Sequence, residues 1–365
     1  MMQKKLNFYS CLNKKYSPSF FLPDFLRENN GAISVEDTLN RIVNEEYGQI
    51  DDNTVVSTVK DVTEKHALRL KDYNFCGKCR CSVIEFSFEK DGIIASFNAD
   101  VLSPTENKNP AFVVMADFQD GLPTKYCPVE EILDRGVGLA HIYYKDVSSD
   151  DGDFNSGIAK IFCDRNKAYA PGKIALWAYA LKVVGQFLVE SGIAVQEKLY
   201  CAGHSRLGKT ALLACAQYKI FAGCFVNCSG CCGAAISREK KGESIKVITD
   251  VFPYWFTGNF KKYAEKENEM PFDQHYLVAA ISPRKVFIVA ASEDDWADAD
   301  AQYLCAEAAT VAYNEMGMDG LERRDKMLET GERNIGGQIC FYLRKGPHFF
   351  SREDWNFYID CIEKL

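Results

Sequence analysis

Leu199-Tyr200-Cys201-Ala202-Gly203-His204-Ser205-Arg206-Leu207-Gly208-Lys209-Thr210-Ala211-Leu212 is the stretch on which the fold turns. The apolar run Lys198 to Ala202 predicts a buried strand, and Lys209 to Gln217 predicts a short apolar helix. The octet between them, Gly203 to Thr210, admits two chemistries. Glycine, four residues, then Gly-Lys-Thr is the phosphate-loop pattern, in the strand–loop–helix setting where backbone N–H groups and the lysine cradle phosphates. A serine on a tight strand-to-helix turn is equally the arrangement of a nucleophile elbow, which lifts the hydroxyl above the sheet edge. The elbow pattern is imperfect, because Leu207 stands where Gly-x-Ser-x-Gly has its second glycine, which follows one residue later as Gly208.

The neighbouring elements decide between them. Upstream, Ser82 to Glu89 and Ile93 to Leu102 alternate apolar and polar residues around Asp91-Gly92, which reads as a β-hairpin. Short apolar runs at Ala111 to Met115, Gly136 to Tyr144, Cys224 to Asn227, Val286 to Ala291 and Gln338 to Leu343 read as strands buried on both faces. Helical patterns cover Lys173 to Glu190, long and amphipathic, Asp298 to Tyr313 and Arg352 to Lys364. An antiparallel start followed by strand–helix alternation predicts an α/β protein, a three-layer sandwich around one mostly parallel, doubly wound sheet. Residues 1–70 lack a strong period apart from a helix from Ser34 to Tyr47 capped by Ser34, and read as an N-terminal arm packed on the core. Residues 71–365 form the main domain, with an excursion at about 229–275 over the sheet's carboxyl edge.

Strand count weakens the phosphate loop, which normally follows the first core strand, whereas about four strands precede Gly203 here. An α/β-hydrolase instead orders its residues as serine, acid, histidine, each past a successive strand. The chain supplies that order. The strand Val286 to Ala291 runs into Ser292-Glu293-Asp294-Asp295-Trp296, and Gln338 to Leu343 runs into Gly346-Pro347-His348. Of five histidines only His348 follows the acidic loop.

Composition narrows the class. With 43 Lys+Arg against 51 Asp+Glu, a net charge of −8 and no basic stripe, no nucleic-acid partner is expected. Lys182 interrupts the most apolar segment, Ile174 to Val189, short of the roughly 18 uncharged residues a membrane helix needs, so no membrane association is expected. Fifteen scattered cysteines, several in apolar runs, fit a reducing compartment better than a disulfide framework. Lys4 and Lys5 imitate the basic start of a signal peptide, but Asn7, Ser10 and Asn13 break its apolar core. The expectation is a cytoplasmic protein, the alternative being a secreted one whose export signal is absent from this chain. Cys76-Gly77-Lys78-Cys79 lacks a second matched pair for zinc, and Cys224, Cys228, Cys231 and Cys232 read as buried thiols rather than a metal cluster.

Gly203 to Leu212 resembles the nucleophile motif of the glucuronoyl esterases, carbohydrate esterase family 15. Cys228-Ser229-Gly230-Cys231-Cys232-Gly233-Ala234-Ala235, Phe252-Pro253-Tyr254-Trp255-Phe256, Asp273-Gln274-His275, Ser282-Pro283-Arg284, Asp294-Asp295-Trp296-Ala297-Asp298 and Leu22-Pro23-Asp24 are similar as well. The resemblance implies an α/β-hydrolase fold and a serine esterase acting on the ester of (4-O-methyl-)glucuronic acid in glucuronoxylan or its fragments. It implies Ser205 as nucleophile, His348 as base, Arg206 as oxyanion donor, Lys209 on the sugar hydroxyls, and Glu243 and Trp296 completing a uronate pocket. No metal or organic cofactor is implied. The chain departs from the pattern at Cys228, where many members carry the acid. That role then falls to the later loop, with Asp294, two before Trp296, the best match ahead of Asp295 and Glu293. The ordinary readings are a solvated charge for Arg206, Lys209 and Glu243 and a core aromatic for Trp296. The competing functions are nucleotide binding through Gly203 to Thr210 and esterase action on acetylated sugars.

Overall fold

The computed structural model describes residues 17, 20–28, 31–32, 34–67 and 75–363. The stretch around Lys4 to Lys15 therefore lies outside the described residues, as does Lys364. Three antiparallel strands open the sheet: Val56–Asp61 (β1), Cys79–Lys90 (β2) and Ile93–Pro104 (β3). Asp91 and Gly92 join β2 to β3 at φ +51° and +78°, the two left-handed positions a tight hairpin turn requires, with Lys90 opposite Ile93.

The chain then lays down Phe112–Asp117 (β4), Gly138–Tyr143 (β5), Leu199–His204 (β6), Gly223–Asn227 (β7), Lys285–Ala291 (β8), Arg333–Asn334 (β9) and Ile339–Arg344 (β10). Together with the opening strands they make a ten-stranded sheet of order β9-β10-β8-β7-β6-β4-β5-β3-β2-β1. The six adjacent strands β10, β8, β7, β6, β4 and β5 run parallel in five pairings, while β9 and the three opening strands pair antiparallel. The sheet is thus the mostly parallel, doubly wound one expected. Its direction of winding reverses at β4, which has β5 on one side and β6 on the other. Such a switch point leaves a crevice at the carboxyl ends of the strands, and β6 ends there at His204.

Period-2 alternation sends successive residues of each central strand to opposite layers. Val114, Cys201, Val226 and Ile288 pack under the helices Lys173–Glu190, Arg206–Gln217, His275–Ala280 and Ala299–Glu315. Val113, Ala202, Phe225 and Val289 pack against Val129–Asp134 and Arg352–Glu363. This gives the three layers. No described helix is long and apolar enough to cross a membrane.

Two elements differ from expectation. Lys173–Glu190 is not simply amphipathic: every residue from Lys173 to Leu181 is buried, because the helix is covered on its outer side as well as against the sheet. A Cβ on Gly172 would lie 2.2 Å from Trp255 O, which shows how closely the excursion approaches that helix start. The segment read as an arm contributes β1 to the sheet. All six of its residues are exposed, so burial imposes no alternation by which the sequence would betray it.

Ser34 caps the first helix, Val35–Ile42, its hydroxyl accepting the Asp37 N–H at 3.0 Å. The chain then widens into a π turn, Val43–Tyr47, which turns Glu46 and Tyr47 inward. The Gln274 amide donates to Glu46 Oε2 at 2.8 Å, and Tyr47 Oη donates to Cys232 O at 2.9 Å, so this segment is tied to the excursion. Burial pushes the Glu46 carboxyl up to about 7, against the opposing pull of Gln274. Its folded value exceeds the ordinary 4.5, so stability is greatest below about 4.5 and falls as pH rises towards 7. Glu46→Gln is therefore expected to gain stability relative to the parent between pH 5 and pH 8, on the order of 1–3 kcal/mol. Thermal melts at the two pH values check this, and a gap that does not change with pH would refute it.

Candidate active site

Two glycines build the turn between β6 and its helix. A Cβ on Gly203 would sit 2.0 Å from Leu207 O, and one on Gly208 would sit 2.9 Å from Asn227 O and 3.2 Å from Gly203 O. Gly208 therefore provides the close helix–strand approach that the displaced motif left in question, while Leu207 is buried in the core. Between them Ser205 adopts φ +56°, ψ −123°, a sparsely populated conformation held by its N–H donating to Asn227 O at 2.9 Å. The octet is an elbow rather than a phosphate cradle. The Lys209 ammonium donates to Ser229 O at 2.6 Å, and the Thr210 hydroxyl donates to Arg206 O at 3.1 Å, so both phosphate-loop side chains are committed to the protein.

Past β8, Asp294 is buried whereas Glu293 and Asp295 are exposed. Asp294 Oδ2 accepts His348 Nδ1–H at 2.6 Å, and its Oδ1 accepts the Ala297 N–H at 3.1 Å. Burial opposes ionisation of Asp294, but the His348 hydrogen bond and charge, with the Ala297 N–H, outweigh it and hold the carboxyl below its ordinary value. The His348 ring lies 4.5 Å from that of His204, the residue before Ser205. His204 is buried, donates from Nδ1 to Asn227 Oδ1 at 2.6 Å, and is pushed down to about 3 by burial and then by His348. The neutral His204 ring packs against His348. The expected order of serine, acid and histidine is thus gathered at one end of the sheet.

Arg206 opens the helix, where first-turn N–H groups lack intrahelical partners and the dipole favours negative charge. Its guanidinium is no solvated charge. It pairs with Asp150 Oδ2 and lies over Trp255 at 4.7 Å, Phe252 at 5.3 Å and Phe118 at 5.5 Å. Asp150 also accepts Trp255 Nε1–H at 2.7 Å and Tyr144 Oη–H at 3.0 Å, so one carboxylate arranges three side chains.

Lys209 and Glu243 are both buried, 3.7 Å apart, which excludes a solvated helix face for one and a solvated loop for the other. Trp296 is 54% exposed and so is not a core aromatic. The Glu243 N–H donates to Trp296 O at 3.1 Å, joining the excursion to the acid loop. Gly242, at φ +67°, permits this contact, since a Cβ there would lie 2.5 Å from Asp295 O and Trp296 O.

Asp150, Arg344 and Asp354 escaped sequence reasoning. Asp150 follows a predicted strand, but Asp146, Asp151 and Asp153 crowd the same loop and spacing does not separate them. Arg344 Nε pairs with Asp354 at 2.8 Å, both buried, and its Nη2 donates to Pro347 O at 2.8 Å and Phe349 O at 3.0 Å. The arginine thereby grips the backbone on both sides of His348. Among the described residues, Cys228, Asp294 and His348 form a set whose potential ligand atoms all lie within 4.8 Å of one another. Cys224, Cys231 and Cys232 do not join it.

The family profile described as "Glucuronyl esterase, fungi" matches residues 86–317. A carbohydrate esterase from an unknown prokaryotic organism is 36% identical over 239 residues, covering 64% of this chain and 55% of that protein. A 4-O-methyl-glucuronoyl methylesterase of Podospora anserina is 23% identical over 249 residues, covering 65% of this chain and 50% of that one. The matches thus span about half the length of these curated relatives. Among solved structures, a glucuronoyl esterase from Solibacter usitatus superposes with a TM-score of 0.82 at 26% identity, covering 95% of this chain and 98% of its own.

Removing one partner of a buried ion pair leaves the other charge uncompensated, at a cost of about 3–5 kcal/mol. Arg344→Ala, which strands Asp354, is expected to lose stability on that scale in urea denaturation. A loss below about 1 kcal/mol would mean that the pair does not anchor the histidine loop.

Proposed function

The chain belongs to the glucuronoyl esterases, and on that premise we propose that it hydrolyses esters of (4-O-methyl-)glucuronic acid in glucuronoxylan or its fragments through an acyl-enzyme on Ser205. The observation that carries this reading is the 2.6 Å hydrogen bond from His348 to the buried Asp294, next to a serine set on an elbow. A serine hydroxyl is a weak nucleophile at neutral pH, so the proton must leave as the carbonyl is attacked. With Nδ1–H committed to Asp294, the imidazole presents its Nε2 lone pair, the tautomer a general base requires. His348 takes the Ser205 proton and returns it to the departing alcohol. Water then enters by the same route in reverse and releases the uronic acid.

Charge that develops on the carbonyl oxygen meets the Arg206 N–H at the helix start and the Arg206 guanidinium, which Asp150 and three aromatic rings hold in place. An esterified uronate carries no carboxylate charge, and Lys209 with Glu243 forms a pair of opposite charges to match. Such a pair offers sugar hydroxyls both donors and an acceptor, whereas an unpaired lysine would favour a free acid. The exposed Trp296 on the acid loop supplies an apolar face for a pyranose ring.

The test is hydrolysis of methyl and benzyl glucuronate by the wild type and by Ser205→Ala, Asp294→Ala and Arg206→Ala. Ser205→Ala is expected to abolish turnover, and Arg206→Ala to lower kcat by about 10²–10³-fold, the range for loss of one oxyanion donor. Activity on acetylated sugars with none on uronate esters would overturn the substrate. Mg²⁺-ATP binding that requires Lys209 but not Ser205 would overturn the chemistry.

A further inference from the structure

Cys228 directly follows β7 at φ +45°, its N–H donating to Val289 O at 2.8 Å. It is buried, as is Asp294, while His348 is exposed and opens the cluster to solvent. A thiol, a carboxylate and an imidazole within 4.8 Å of one another are three donors of different type converging from three loops. Zinc takes sulfur, nitrogen and oxygen ligands at about 2.0–2.3 Å in a tetrahedral shell, and open sites use three protein ligands with a water as the fourth. Such bonds in a tetrahedron put ligand atoms roughly 3.3–3.8 Å apart, so the cluster closes on an ion by parting His348 Nδ1 from Asp294 Oδ2, 2.6 Å apart, and drawing in the wider pairs, all of them within 4.8 Å. Soft thiolate with imidazole selects zinc or cadmium over magnesium or calcium.

We propose that Cys228, Asp294 and His348 form a binding site for a thiophilic divalent cation, Zn²⁺ or Cd²⁺, whose occupancy switches the esterase off. Binding releases the Cys228 thiol proton to solvent and forms metal–sulfur, metal–nitrogen and metal–oxygen bonds. If the metal takes Nδ1, the imidazole proton moves to Nε2; if it takes Nε2, the lone pair itself is occupied. Either way His348 cannot accept the Ser205 proton. The loss of turnover rests on the esterase reading above, but the binding does not, and the two are measured separately.

The full chain, as wild type, Cys228→Ala and the volume-conserving Cys228→Ser, is titrated with Cd²⁺ while the near-ultraviolet thiolate-to-metal charge-transfer band is followed. Uronate-ester hydrolysis is measured in parallel with Zn²⁺, with Mg²⁺ as control. The wild type is expected to gain a tight thiolate band that both variants lack, and to lose activity reversibly on adding Zn²⁺ and then EDTA. Loss of an outer-shell partner alone weakens metal affinity about 10–100-fold, so loss of a direct ligand should raise the inhibitory Zn²⁺ concentration at least about tenfold. Equal charge-transfer bands in wild type and both variants would overturn the site. Unequal bands with equal inhibition would keep the site and overturn its control of turnover, and a normal band in a chain inert to every uronate ester would fault the esterase reading alone.

Discussion

Within a single residue the chain leaves the central strand β6 and enters the helix Arg206–Gln217, and everything at the site depends on how closely those two elements approach. The approach is set by backbone against backbone: Gly203 against Leu207 O, and Gly208 against Asn227 O. Side chains at either glycine would push the helix off the sheet and relax Ser205 from φ +56°. Strain of about 1–3 kcal/mol at such a residue persists only where its surroundings over-determine it. Here the determinants are the Asn227 carbonyl on the Ser205 N–H and the buried flanks of strand and helix. Asn227 acts twice, because its side chain also fixes His204, on whose ring His348 packs. Ser205 and His348 are thus both referred to one residue at the end of β7.

The carboxylate could reach His348 from more than one loop at the carboxyl edge, since neighbouring parallel strands end side by side. In this chain the position just past β7 carries Cys228, and the carboxylate bonded to His348 comes from the loop after β8. One strand outward from β7, that loop comes under its own set of supports. Asp294 accepts the Ala297 N–H, Asp298 accepts the Ala301 and Lys241 N–H groups, and Trp296 O receives Glu243. The excursion therefore braces the acid loop from outside, while the Arg344–Asp354 pair braces the histidine loop from beneath. Each support is a buried charge satisfied by several donors or a close backbone approach, the conditions under which polar groups rigidify a structure.

What the sequence disclosed follows from what burial leaves written in it. Strands buried on both faces appear as unbroken apolar runs, and the six parallel strands were legible within about two residues at their ends. Turn chemistry was legible too, at Asp91-Gly92 and at Gly203 and Gly208. The exposed strand Val56–Asp61 left no apolar trace, and Lys173–Glu190 hid its second buried face behind polar residues such as Lys173, whose ammonium donates to Ser148 Oγ at 2.7 Å. At the site, Ser205 and His348 were accessible because chain order and rarity single them out. Asp150 was not, because its importance lies in being within reach of Arg206, Trp255 and Tyr144 at once, a three-body property that linear spacing does not encode.

The double meaning of Gly203 to Thr210 has the same origin. A phosphate loop and a nucleophile elbow both pass from a buried strand to a helix through glycine, so both demand small residues before and after the turn. They differ in which groups face the ligand. A phosphate loop wraps its backbone N–H groups around an anion and extends its lysine back over it. In this chain the lysine instead runs inward to Ser229 O and Glu243, and the residue thrust outward is the serine. The turn's left-handed position falls on Ser205, and that one dihedral choice converts an anion cradle into a platform for a hydroxyl. Glycine spacing alone could not distinguish the two; the partner waiting for Lys209 more than thirty residues downstream, at Glu243, does.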